Sequence, residues 1–96
     1  MRILVLGGDG YLGWPTALHL SRAGHAVGVV DNFARRQYDF EMGVDSLVPI
    51  KHLQQRVRTW REVSGLDIAS FVGDLTDAVF VRRTLDEFRP DAVVHF

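Results

Sequence analysis

The stretch Arg2-Ile3-Leu4-Val5-Leu6-Gly7-Gly8-Asp9-Gly10-Tyr11-Leu12-Gly13 constrains the fold of this 96-residue chain more than any other. An apolar run ends in glycines at positions 7, 10 and 13 and then gives way to helical spacing, which predicts a strand, a tight turn and a helix start. Such a turn makes an anion site. Glycine admits the close backbone approach that a pyrophosphate needs, and the unpaired N–H groups at a helix start favour negative charge.

The remainder of the chain alternates strand and helix signals. Tyr11 to Ala23 reads as a helix whose Gly13, Ala17 and Leu20 lie against a sheet, with Pro15 tightening its first turn and Gly24 as its stop. Ala26-Val27-Gly28-Val29-Val30-Asp31 is a buried strand that stops at an acid. Asn32 to Leu47 mixes charged and aromatic residues without a period, predicting a loop with a single helical turn. After Pro49, the residues Ile50, Leu53, Val57 and Trp60 return at spacings of three, four and three, the mark of an amphipathic helix. Ile68 to Val72 forms a third strand, Thr76 or Asp77 caps a helix carrying Val81, Leu85 and Phe88, and Ala92 to Phe96 forms a fourth strand.

Four strands alternating with three helices predict an α/β, Rossmann-type doubly wound parallel sheet of order 3-2-1-4. Its topological switch point falls between strands 1 and 4, where such sheets bind ligands. The length allows one core, and the residues form only part of a dinucleotide-binding domain. A bare apolar edge at strand 4 and a thinly covered sheet face predict self-association or a missing segment. A net charge of −1 gives no reason to expect nucleic acid or a membrane surface as partner. With no cysteine and no ligand spacing among His19, His25, His52 and His95, no metal is expected. No apolar run is long enough to span a bilayer, and the first strand starts at the second residue, so a cytoplasmic address is expected.

The glycine spacing is G-x-x-G-x-x-G and would be weak evidence alone. It gains weight from Asp31, eighteen positions after Gly13 at the end of strand 2. There a carboxylate accepts hydrogen bonds from the adenosine ribose and repels a 2′-phosphate, which favours NAD over NADP. Arg35 and Arg36 admit two readings, a counter-charge for such a phosphate or a solvated surface pair. Asp74 and Leu75 are placed to hold the adenine, with helix capping as the alternative for Asp74. Trp60 and the phenylalanines fit core packing better than base stacking. No Tyr-x-x-x-Lys pair is present, since Pro15 follows Tyr11 and Met42 follows Tyr38 at that spacing, and no catalytic residue is assigned.

These residues resemble the extended short-chain dehydrogenase/reductase family of NAD-dependent epimerase/dehydratase type, whose members modify nucleotide sugars. Gly7-Gly8-Asp9-Gly10-Tyr11-Leu12-Gly13, Asp31-Asn32, Gly73-Asp74-Leu75 and Val93-Val94-His95-Phe96 carry the likeness. Gly13-Trp14, Thr16 to Ser21, Arg35-Arg36, Ser46-Leu47, Pro49-Ile50 and Trp60 draw it towards the branch that adds sulfite to UDP-glucose. The resemblance implies that Gly7, Gly10, Tyr11, Leu12 and Gly13 surround the NAD pyrophosphate. It places Asp31, Asn32, Phe33 and Arg35 at the adenosine end, Asp74 and Leu75 at the adenine and Phe96 towards the nicotinamide. It further implies a UDP-sugar substrate, transient oxidation at the sugar C4, a homo-oligomeric full-length protein and a catalytic tyrosine and lysine downstream. On this reading the chain is an N-terminal fragment. A non-catalytic NAD- or ADP-binding module and an interaction fragment stand as the alternatives.

Overall fold

A computed structural model describes residues 1–44 and 50–96, together with every side chain in those ranges except that of Arg35. The elements in order are β1 (Arg2–Leu6), α1 (Gly13–Arg22), β2 (Ala26–Asp31), α2 (Ala34–Met42), α3 (Leu53–Ser64), β3 (Ile68–Val72), α4 (Ala78–Phe88) and β4 (Ala92–His95). The sheet is parallel throughout and its order is β3-β2-β1-β4, as the alternation of elements implied. Leu6 pairs with Val30 on one side and His95 on the other, while Asp31 pairs with Val72. All four carboxyl ends therefore lie along one edge.

Alternation along the strands divides the core into two layers. Val5, Val27, Val29 and Ile68 point to the face covered by Trp14 and Ala17 of α1 and Leu53 of α3. Leu4 and Val30 point to the opposite face, covered by Phe88 of α4, with Leu6, Phe71 and Phe80 around them. Gly28 belongs to this second face. A Cβ there would come within 3.0 Å of the Phe88 ring, so the glycine that weakens a strand locally is what seats the aromatic ring.

Among the described residues four helices form, not three. Residues 34–42, expected as a loop, are helical, but Tyr38, Phe40 and Met42 are exposed at 61%, 82% and 73%, so the helix has no apolar stripe for periodicity to reveal. Polar contacts hold its start instead: the Phe33 amide donates to Asp31 Oδ1 at 2.8 Å and the Ala34 amide to Asn32 Oδ1 at 2.9 Å. The exposed Phe40 also departs from the preference for core packing expected of the phenylalanines.

α3 begins at Leu53, leaving Ile50 outside it and exposed, while Pro49 and Ser46-Leu47 lie outside the described residues. Leu53, Val57 and Trp60 do pack on the core, and the Trp60 indole N–H donates to Ser21 Oγ at 2.9 Å. In α4, Thr84 and Phe88 are the buried positions and Leu85 is exposed, because the stripe runs through Phe80 and Thr84, one position back from the expected line. Pro15 leaves the start of α1 a regular α-turn: Trp14 N bonds Gly10 O and Thr16 N bonds Leu12 O, each at 3.2 Å. A proline this early in the helix removes at most one hydrogen bond of the first turn.

Candidate functional site

Each strand delivers a piece of the site to the carboxyl edge. At β1 the chain leaves Leu6 through Gly7 with φ +80°, and the amides of Gly7 and Gly8 both donate to Val30 O, at 2.7 and 3.1 Å. The turn then folds back so closely that a Cβ on Gly13 would sit 2.0 Å from Gly7 O. The spacing of glycines is thus a packing requirement of the turn. The backbone N–H groups of Tyr11, Leu12 and Gly13 make no hydrogen bond among the described residues, and the Tyr11 and Leu12 side chains are exposed. Three free amides at the start of a ten-residue helix fit a pyrophosphate.

Asp31, at the end of β2, is locked in place. Its Oδ2 accepts from the Asp9 amide at 2.9 Å and its Oδ1 from the Phe33 amide. Each carboxylate oxygen retains capacity for a second donor, which suits the ribose hydroxyls expected there. Phe33 adopts the left-handed conformation at φ 59°, unusual for an aromatic residue, and its amide bond to Asp31 helps to hold it. Its side chain packs against the α1/α3 core cluster. Asn32 caps α2 through its own side chain. Arg35 lies in α2, and its side chain is outside the described set.

At β3, the Gly73 amide donates to Asp31 O at 3.1 Å, bringing Asp74 and the half-exposed Leu75 beside the end of β2. Asp74 does not cap α4. That role belongs to Asp77, whose Oδ1 accepts from the amides of Val79 and Phe80. Asp74 Oδ1 instead accepts from the Thr76 amide and hydroxyl, each at 2.9 Å, and these bonds hold its carboxyl below the usual aspartate range. A depressed folded value means that this contribution to stability is complete above the unfolded pKa and fades as the pH falls through the folded one. Thr76→Val removes the hydroxyl donor, and an NMR titration of Asp74 is expected to show its midpoint rising towards the ordinary value; an unchanged midpoint would refute the assigned cause. Phe96 follows β4 and is 58% exposed on the far side of the glycine turn.

One feature at the site has no counterpart in the motif reading. Asp9, inside the turn, is 9% exposed and holds two arginines. Arg36 of α2 grips it with both Nε and a terminal nitrogen, the latter at 2.8 Å, and also reaches Lys51 O at 2.7 Å. Arg56 of α3 donates to Asp9 Oδ1 and O, both at 3.2 Å, and stacks 5.1 Å over the Trp14 ring. The hydrogen bond that Arg36 donates to Asp9 raises the Arg36 pKa against the opposing effect of burial, with the charges of Asp9 and Asp31 adding to it. Of the two readings of Arg36, neither a free phosphate ligand nor a solvated residue matches this geometry. The available signal was an acid between two glycines of a phosphate turn, where a negative charge needs a local counter-ion.

Comparison with known proteins places the geometry among relatives. The model of the NAD dependent epimerase/dehydratase family matches residues 3–96. The chain is 50% identical over 95 residues to the chloroplastic UDP-sulfoquinovose synthase of Spinacia oleracea and 46% identical over 96 residues to the UDP-sulfoquinovose synthase of Sulfolobus acidocaldarius. It covers 99% and 100% of itself in these matches but spans only 20% and 24% of the relatives' lengths. Among solved structures, UDP-glucose 4-epimerase from Bifidobacterium longum, in complex with NAD+ and UDP, superposes with a TM-score of 0.71 at 25% identity, over all of this chain and 24% of that one.

Proposed function

Because the chain belongs to the NAD dependent epimerase/dehydratase family, we propose that it is the NAD-binding portion of a nucleotide-sugar-modifying enzyme, specifically of a UDP-sulfoquinovose synthase. The observation that carries the specific reading is the identity of 46–50% along the whole chain to two such synthases, against 32% to the UDP-glucose 4-epimerase of Neisseria meningitidis serogroup B. A 4-epimerase or dehydratase of the same family is the second reading, favoured by the superposition on the Bifidobacterium enzyme.

In this proposal the free amides of Tyr11, Leu12 and Gly13 bind the pyrophosphate, with Gly7 and Gly10 giving it room. Asp31 takes the ribose hydroxyls, Asn32, Phe33 and Arg35 border the adenosine, Asp74 and Leu75 the adenine, and Phe96 the nicotinamide side. NAD bound there supplies a hydride acceptor for the sugar C4. The chain's own residues bind and orient; the groups that move protons and hold the UDP-sugar belong to the remaining three quarters of the relatives' length. Residues 1–96 alone are accordingly proposed to bind cofactor without turnover.

Calorimetric titration with NAD tests this. Saturable binding is expected, weakened about tenfold by Asp31→Asn, which replaces charge-assisted hydrogen bonds with neutral ones. A folded chain that takes up no NAD would reject the reading. To separate the two activities, the chain joined to its native continuation is supplied with UDP-glucose and sulfite: a sulfonated sugar nucleotide supports the synthase, and UDP-galactose alone the epimerase.

A further inference from the structure

We propose that Asp9 is a positioning residue that sets the preference for NAD over its 2′-phosphorylated counterpart, by keeping Arg36 from the place where a 2′-phosphate would lie. The inference rests on the dinucleotide reading above. A 2′-phosphate would project beside the carboxylate of Asp31, at the end of β2. Arg36 stands in the first turn of the helix that starts there, the region from which an arginine neutralises such a phosphate in sites that accept one. In this chain its guanidinium is committed elsewhere: Nε and Nη2 are spent on Asp9, Nη2 also on Lys51 O, and its central carbon lies 6.0 Å from the centroid of the Phe33 ring.

Asp9 is coupled to the ribose carboxylate as well, since its amide donates to Asp31 Oδ2. One residue therefore holds both the acid that receives the ribose and the base that would welcome a phosphate. Among the described side chains of this cluster, Asp9 and Asp31 are balanced by Arg36 and Arg56. Removing the Asp9 charge leaves one guanidinium in excess in the cluster that holds Asp31, and releases Arg36 from its bidentate partner. Both changes act in the same direction on a dianionic phosphate.

The test is calorimetric titration of the full chain with NAD and with NADP, for the wild type, Asp9→Asn, Asp9→Ser and the pair Asp9→Asn/Arg36→Met, with thermal melting as the folding readout. The ratio of the NADP to the NAD dissociation constant is expected to fall by at least about tenfold in a folded Asp9→Asn or Asp9→Ser protein. In the double variant, where the charge balance of these described side chains is restored and the Arg36 guanidinium is gone, the ratio is expected to return to near the wild-type value. A purely structural role would weaken both nucleotides together and leave the ratio unmoved. That result, a shift that persists without Arg36, or failure of both position-9 variants to fold would each overturn the inference while leaving NAD binding by the wild type intact. Wild-type protein that binds neither nucleotide would overturn the dinucleotide reading and this inference with it.

Discussion

Gly13→Ala is expected to destabilise the chain by about 3 kcal/mol and to weaken NAD binding at least about tenfold. The added methyl would lie 2.0 Å from Gly7 O, 2.7 Å from Gly7 C and 2.9 Å from Gly8 Cα. All three are backbone atoms, so no side-chain rotation relieves the contact. Gly7 cannot retreat cheaply, because its amide and that of Gly8 are bonded to Val30 O in the central strand pair. The start of α1 must move instead, carrying with it the free amides of Tyr11, Leu12 and Gly13. Gly65→Ala provides the control. Unlike Gly13 it has positive φ, at 75°, but nothing lies within 4 Å of its Cβ position, so only the left-handed backbone term of about 1 kcal/mol applies. Urea denaturation and NAD calorimetry on both variants check the prediction. A loss at position 13 no larger than that at position 65 would contradict the close approach as the reason position 13 requires glycine.

Phe88→Ala is expected to remove about 3–5 kcal/mol, a large part of the stability of a domain this size. The ring is 5% exposed and forms the centre of the α4 face with Leu4 and Val30. It meets the Phe71 ring edge to face at 6.0 Å, and the Arg2 guanidinium lies 4.5 Å from its centroid. Arg2 Nε also donates to Phe88 O at 2.8 Å, so the residue ties the end of α4 to the first strand through both main chain and side chain. Since a Cβ at Gly28 would press on this ring, Gly28→Ala should cost less in the Phe88→Ala background than in the wild type. Urea midpoints for the four proteins of that cycle provide the measurement. A loss below about 1.5 kcal/mol for Phe88→Ala, or strict additivity with Gly28→Ala, would contradict this account of the second core layer.

Where hydrophobic periodicity carried the information, the sequence and the structure agree. β2 and β3 have the bounds that their apolar runs suggest, and the parallel order follows from strand and helix alternation under right-handed crossovers. α2 is the counterexample. Its start is held by side-chain hydrogen bonds from Asp31 and Asn32 to amides two residues on, which leave no hydrophobic period, and by Arg36 reaching across to Asp9, a contact 27 positions apart that no local window joins. The register of α4 illustrates a subtler limit: both Leu85 and Thr84 fall on a plausible stripe, and the choice of Thr84 for burial depends on where the helix axis crosses the sheet.

The candidate site divides in the same way. From residue order alone come the glycine turn, the acid at the end of β2 and the polar turn after β3, because each depends on the local conformational freedom of glycine or on the place where an apolar run stops. Only the tertiary structure decides how these pieces are spent. It assigns one aspartate to the cap of α4 and another to a turn, and commits both oxygens of Asp31 to backbone amides. It also brings Arg36 and Arg56, which are 27 and 47 positions from Asp9, onto one buried carboxylate. Hydrogen bonds and ion pairs are satisfied by whatever partner the packed elements bring within about 3 Å, and that is a property of the assembled sheet and helices.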